Sequence, residues 1–211
     1  MREAEARKQR SIAVLQSEGV PYNPDLPLVD PNGTRSVDEI VGRFCALAVT
    51  SFKASTGDHD RAREVLEGMG EHVRLSAAES AFMKDRAPTY HQRAQFSWGI
   101  EAAVPLAWSL GWLDELYRPD VCAEANPLLE LAYANGVVRI AQARTVRQET
   151  DLLDATDLLY RYHWAVRQAG LDGREPPAGL DPGVVMEWHR ALNWLTRYCD
   201  EDDWDEVTTD T

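Results

Sequence analysis

The sequence predicts a mainly α fold: a single-domain multi-helix bundle of about eight helices, with an extended Pro-rich connector near the N-terminus. Three observations carry this. Hydroxyl residues followed three positions on by Glu or Gln recur ahead of apolar-periodic segments, and glycines close several of those segments. No alternating β-branched run of five or more residues is bounded by turn signals. At 211 residues, 44% of them apolar and with no linker-like stretch, one compact domain with a sizeable core is expected.

The first helix is expected over 3–18, closed by Gly19. From Gly19 to Pro31 the chain reads GVPYNPDLPLVDP, and its prolines stiffen it into an extended connector laid over the surface. Ser36 and Glu39 form a capping box that starts a helix over 37–55. A helix over 60–69 ends at Gly70, and a second box, Ser76 with Glu79, opens one over 77–86. The most apolar helix is placed over 90–111 and closed by Gly111, with a kink or break expected at Pro105. A short helix over 127–134 follows.

Thr145 and Gln148 make a third box before a helix over 146–169, closed by Gly170. Its Leu152, Ala155, Leu159, Tyr162, Val166 and Ala169 form a continuous apolar stripe. The last helix, over 183–199, has Asp181 as N-cap and Pro182 at its first position, where a missing N–H costs nothing. Val184, Trp188, Ala191, Leu195 and Cys199 are its buried stripe. All seven tryptophans lie beyond residue 97, so the principal core is expected there, with the first 97 residues packed around it.

Charge and cysteine content narrow the function classes. The formal net charge is −13, and the last twelve residues, DEDDWDEVTTDT, account for seven acids and no base. A nucleic-acid partner is disfavoured, because phosphate binding needs a clustered basic face and the densest basic run is Arg7-Lys8-x-Arg10. A basic protein partner is favoured electrostatically. No apolar run reaches eighteen residues, so no membrane role is expected, and the charged start MREAEARKQRS lacks the apolar stretch of a signal peptide. Cys45, Cys122 and Cys199 fit neither a disulfide framework nor a zinc spacing, which suits reduced thiols and a cytoplasmic location.

Few residues invite chemistry. Asp154, Asp157 and Arg161 follow at helical spacing and are expected to make exposed ion pairs. His163, at the edge of the apolar stripe, reads as a hydrogen-bonded structural histidine. On the last helix Glu187, Arg190 and Trp194 share one side, while His189 and Asn193 share another. Glu187 and His189 therefore diverge by roughly 200° and cannot chelate one metal in the usual i, i+4 manner. Glu101, within the most apolar helix, needs a partner, for which Arg161, His163, Arg190 and His189 are the candidates. Nucleophile-elbow, phosphate-loop, dinucleotide and zincin motifs are all missing, so no metal or cofactor is expected.

A set of short motifs, in order, resembles the bacterial family catalogued as domain of unknown function 4272. These are Arg10-Ser11, Gly19-Val-Pro21, Phe96-Ser-Trp98 with Glu101, Leu110-Gly111, Asp157-Leu-Leu-Tyr-Arg161 and His163-Trp164. Then come Pro177-x-Gly-Leu, Gly183-Val-Val185, Glu187, His189, Ala191-Leu-Asn-Trp194 and Trp204-Asp205. Gly99 stands where the family usually has a basic residue. The resemblance implies a mainly helical fold and brings no activity with it. It also implies that the tail folds back onto the last helix through Trp204.

Two functional expectations follow. The first is a non-enzymatic cytoplasmic protein-binding module, an inhibitor or immunity-type protein for a basic partner, met through Asp202, Asp203, Trp204 and Asp205. The alternative is an enzyme or small-molecule binder with an inter-helix polar site built from Glu101, Arg161, His163, Glu187, His189 and Asn193. Oligomeric state is not encoded in any feature of the sequence.

Overall fold

The computed structural model describes residues 2–138 and 145–211, the side chains of 134–138 excepted. The described residues form nine α-helices and no strand: α1 Glu3–Glu18, α2 Val37–Thr56, α3 His59–Met69, α4 Ala77–Lys84, α5 Tyr90–Ser97, α6 Gly99–Ser109, α7 Ala125–Val138, α8 Glu149–Leu171 and α9 Pro182–Leu195. The core is built on α2 and α6, whose residues 40–51 and 100–110 are buried without interruption. A helix covered on every side must be apolar all round, and both segments are nearly so. α9 packs on α6 and α8, α8 also holds α1, and α2 carries α3, α5 and α7. The first 97 residues are thus not merely wrapped round a tryptophan-rich centre, because α2 is one of the two central helices.

Local signals placed most helix starts. The boxes at Ser36 and Ser76 form in both directions, and Thr89 with Gln92 makes a third that the sequence reading overlooked. Asp181 accepts from the amides of Gly183 and Val184. The box at Thr145 does not form: α8 begins at Glu149, capped by Gln148 without a side-chain bond. Arg147 overrides it, because its amide bonds the Ser109 carbonyl and its guanidinium reaches the carbonyls of Trp108, Leu113 and Asp114. These bonds hold the chain non-helical through residue 148.

Three boundaries depart from expectation. The helix expected over 90–111 is two helices, and the break falls at Trp98, not at Pro105, which α6 accommodates. Ser51 on α2 donates to the Phe96 carbonyl at the end of α5, and Gly99 lets α6 restart close against Leu47 and Ser51. Gly170 lies inside α8, and Gly173 takes the left-handed turn instead. α9 stops at Leu195, because Arg35 captures the carbonyls of Trp194 and Leu195 and the chain turns left-handed at Arg197. Cys199 is therefore exposed and not on a buried stripe, whereas Cys45 is buried.

The connector runs without regular structure beside α1 and α8. Arg7 and Lys8 of α1 donate to the carbonyls of Val29 and Leu26, and Val20 and Leu26 turn inward. A glycine fixes another close approach. A Cβ on Gly42 of α2 would sit 2.4 Å from the His72 carbonyl oxygen, which is backbone and cannot swing aside. The gain in helix propensity from alanine, up to about 1 kcal/mol, is outweighed by overpacking of about 1–3 kcal/mol. Gly42→Ala is expected to lower the urea midpoint, with a net loss of about 1–2 kcal/mol.

Candidate functional site

The polar residues of α8 and α9 divide among four surroundings. On α8, Asp157 and Arg161 meet as a two-pronged pair, Nε to Oδ2 and Nη2 to Oδ1, both 2.8 Å. This corrects the expectation of exposed ion pairs, since both side chains have zero exposure. The reason is the connector, whose Pro27 carbonyl accepts from Arg161 Nη2 at 3.4 Å and lies across the pair. Asp154 faces outward and takes Arg7 and Arg10 of α1.

Among the described residues Glu101 has neither an arginine nor a histidine partner. Its Oε1 accepts the Ala123 amide at 2.8 Å and its Oε2 faces Trp188 Nε1 at 3.4 Å. Burial pushes its carboxyl above the usual carboxylate range, against the pull of those two donors. Neutral N–H groups, brought by the segment after α6 and by α9, thus do what an ion pair was expected to do.

Glu187 and His189 diverge as helical geometry requires. Glu187 turns toward α2, α4 and the tail, bordering a hollow with Glu79 and Asp205, and Arg190 of the same helix stands 3.9 Å from it. Burial raises its carboxyl pKa, partly offset by Arg190. His189 turns to α8, where its Nδ1 lies 3.0 Å from Nδ1 of His163. Both rings are buried, and the hydrogen-bond partner of His163 is His189. Burial lowers both imidazoles, His163 to about 4 with help from Arg167, and His189 to about 3 with help from His163. Two neutral rings joined through Nδ1 must be opposite tautomers, one donating and one accepting.

His189 also lines a cleft of about 380 Å³ between the connector, α8, α9 and the end of the tail. Asn193 lies in the same wall, one turn along. The cleft joins residues the sequence reading did not connect: Asp30 and Asn32, Thr156 and Tyr160, Tyr198 and Asp210. Separations of more than a hundred positions carry no periodic signal, so only the fold reveals them. Arg197, Cys199 and Asp200, at or beside its rim, are non-glycine residues with φ of 55° to 58°. Such left-handed backbone carries a local cost that surrounding contacts must hold in place. Asn32 does so here, its amide nitrogen donating to the Arg197 carbonyl and to Asp200.

The acidic tail is tied into the chain. Trp204 is buried edge-on against Trp194, with the guanidinium carbons of Arg190 and Arg43 4.5 and 5.0 Å from its ring centroid. Arg190 also donates to its carbonyl, and Arg43 pairs with buried Glu79 behind it. Asp202 pairs with Arg35, Asp203 accepts the Asp205 amide, and Asp205 accepts the Ala78 amide in the first turn of α4. Each of the four tail residues named for partner binding thus already has a bonding role within the chain.

Fold and site together define an all-α bundle with a polar cleft beside a buried histidine pair. A model of the family described as domain of unknown function (DUF4272) matches residues 7–207, and the chain belongs to that family. No curated protein and no solved structure matches it. Among the described residues no helix is long and apolar enough to cross a membrane. Nor does any group of three or more His, Cys, Asp or Glu among them stand close enough to hold a metal ion.

Proposed function

We propose that this protein is a binding module and that its ligand occupies the cleft between the connector, α8, α9 and the tail. One observation carries the reading. His189 is only 2% exposed, its Nδ1 is held by His163, and its Nε2 has no bond within the described chain although the residue lines the cleft. A ring nitrogen with no protein partner, on a residue that lines a cleft, keeps its hydrogen-bonding capacity for whatever enters. Binding is favoured over turnover because Glu101, Glu187 and His189, the groups suited to proton transfer, are carried to three separate places. The net charge of −13 supports the wider form of the reading, in which the module covers a basic protein partner as an inhibitor or immunity-type protein would.

Ligand-observed NMR with separate sets of small amines, carboxylates, sugars and phosphates tests the cleft. At least one set is expected to give saturable binding that His189→Leu abolishes while the melting temperature stays within a few degrees. Binding that His189→Leu leaves unchanged, or none from any set, refutes the proposal.

A further inference from the structure

The hydrogen-bonding character of the cleft narrows what it holds. Thr156 and Thr196 spend their hydroxyl protons on the Leu152 and Leu192 carbonyls, both at 2.8 Å, so their oxygens have only lone pairs left to offer. Asn193, 3% exposed, turns its amide nitrogen to the Thr208 carbonyl, leaving Oδ1 as its free acceptor. Asn32 commits its nitrogen to Arg197 and Asp200 and is left with Oδ1 likewise. In both amides the carbonyl partner fixes which prong is nitrogen.

Charge points the same way. Asp30 and Asp210 stand at the rim, and among the described residues no lysine or arginine lines the cleft. Tyr160 and Tyr198 add two aromatic rings, the surface on which an organic cation rests best. His189 completes the set, since its neutral ring has a free Nε2 that can accept when Nδ1 carries the proton.

We infer that the cleft takes a compact organic cation with several N–H donors, a guanidinium or a primary ammonium, free in solution or at the end of a partner's arginine or lysine side chain. This rests on the cleft being the binding site, and adds the chemical class of what enters it. A volume of about 380 Å³ suits such a group, because ligand sites for drug-sized molecules start near 300 Å³. A carboxylate or phosphate would meet acceptors on most sides and two like charges at the rim.

Calorimetric titration of the full chain with N-acetyl-arginine amide, N-acetyl-citrulline amide and N-acetyl-glutamate amide tests the class, and agmatine serves as a free cation without a peptide frame. The arginine derivative or agmatine is expected to bind at least tenfold more tightly than the citrulline and glutamate derivatives. Asp210→Asn and Tyr198→Ala, both at exposed positions, are each expected to weaken it about tenfold. Preference for agmatine marks a free metabolite, and preference for the amide-capped arginine marks a partner's side chain. Equal binding of citrulline, or tighter binding of glutamate, lost in Tyr198→Ala, overturns the cation assignment while the cleft stands as a binding site. Cation binding that survives both substitutions overturns it as well, since it then reflects general surface charge. Silence from all four probes removes the assignment, and the His189-dependent NMR screen then decides separately whether the cleft binds anything.

Discussion

Replacing Asp157 with alanine is expected to cost about 3–5 kcal/mol, a large share of the stability of an ordinary domain. The cost comes from what is left behind more than from the bonds removed. Arg161 has zero exposure, and its Nη1 already lacks a hydrogen-bond partner among the described residues. Without Asp157 the guanidinium would keep only the Pro27 carbonyl at 3.4 Å and the Tyr160 ring, whose centroid lies 5.9 Å from its Cζ. A buried cation so poorly compensated must either drag water inward or pull α8 away from the connector. Urea unfolding followed by tryptophan fluorescence measures the loss. The double variant Asp157→Ala, Arg161→Leu is expected to recover most of it, because an apolar replacement of both partners removes the desolvation problem as well as the attraction. A double variant no better than Asp157→Ala would show that the pair's value lies in its bonds. Because Thr156 and Tyr160, which immediately precede Asp157 and Arg161 along α8, line the cleft, the single variant should also loosen that wall.

What the sequence disclosed and what it hid follow from the range of the interactions involved. Ser36, Ser76 and Asp181 announce helix starts because a cap is satisfied within three residues, whatever the rest of the chain does. Thr145 offers the same pattern and fails, because Arg147 is claimed by carbonyls more than thirty positions away. The end of α9 was misplaced for a similar reason, since Arg35, before α2, takes its last carbonyls. In the site, the divergence of Glu187 and His189 was legible from the helical period alone. The meeting of His189 with His163 was not, because it depends on how α8 and α9 are set against each other. The burial of Asp157 and Arg161 depends on a connector that reads as mere surface covering. Asp30, Asn32 and Asp210, which give the cleft its chemistry, come from segments with no local signal of function.

The histidine pair should make the protein acid-labile over a defined range. Its imidazoles titrate near 4 and 3 in the folded chain, below the ordinary value of 6.5. Above pH 6.5 both are neutral whether the chain is folded or not, and they add no pH dependence. As the pH falls below 6.5 the unfolded chain takes up protons that the folded one refuses, so stability drops until the folded rings titrate in turn. The loss by pH 4 is on the order of 3–6 kcal/mol for the two rings together. Glu101 and Glu187 oppose it, since their raised pKa values mean that the folded state protonates first and gains stability as the pH falls. The histidine contribution is isolated by comparing the protein with its His163→Gln, His189→Gln variant in denaturant titrations from pH 8 to pH 4. The difference in unfolding free energy is expected to be flat above about 6.5 and to close or reverse in favour of the variant toward 4. Parallel curves across the whole range would mean that the two rings are not held neutral by the fold. A cleft that relies on His189 Nε2 as an acceptor for a cation would then lose its central support, since a protonated ring can only donate and repels positive charge.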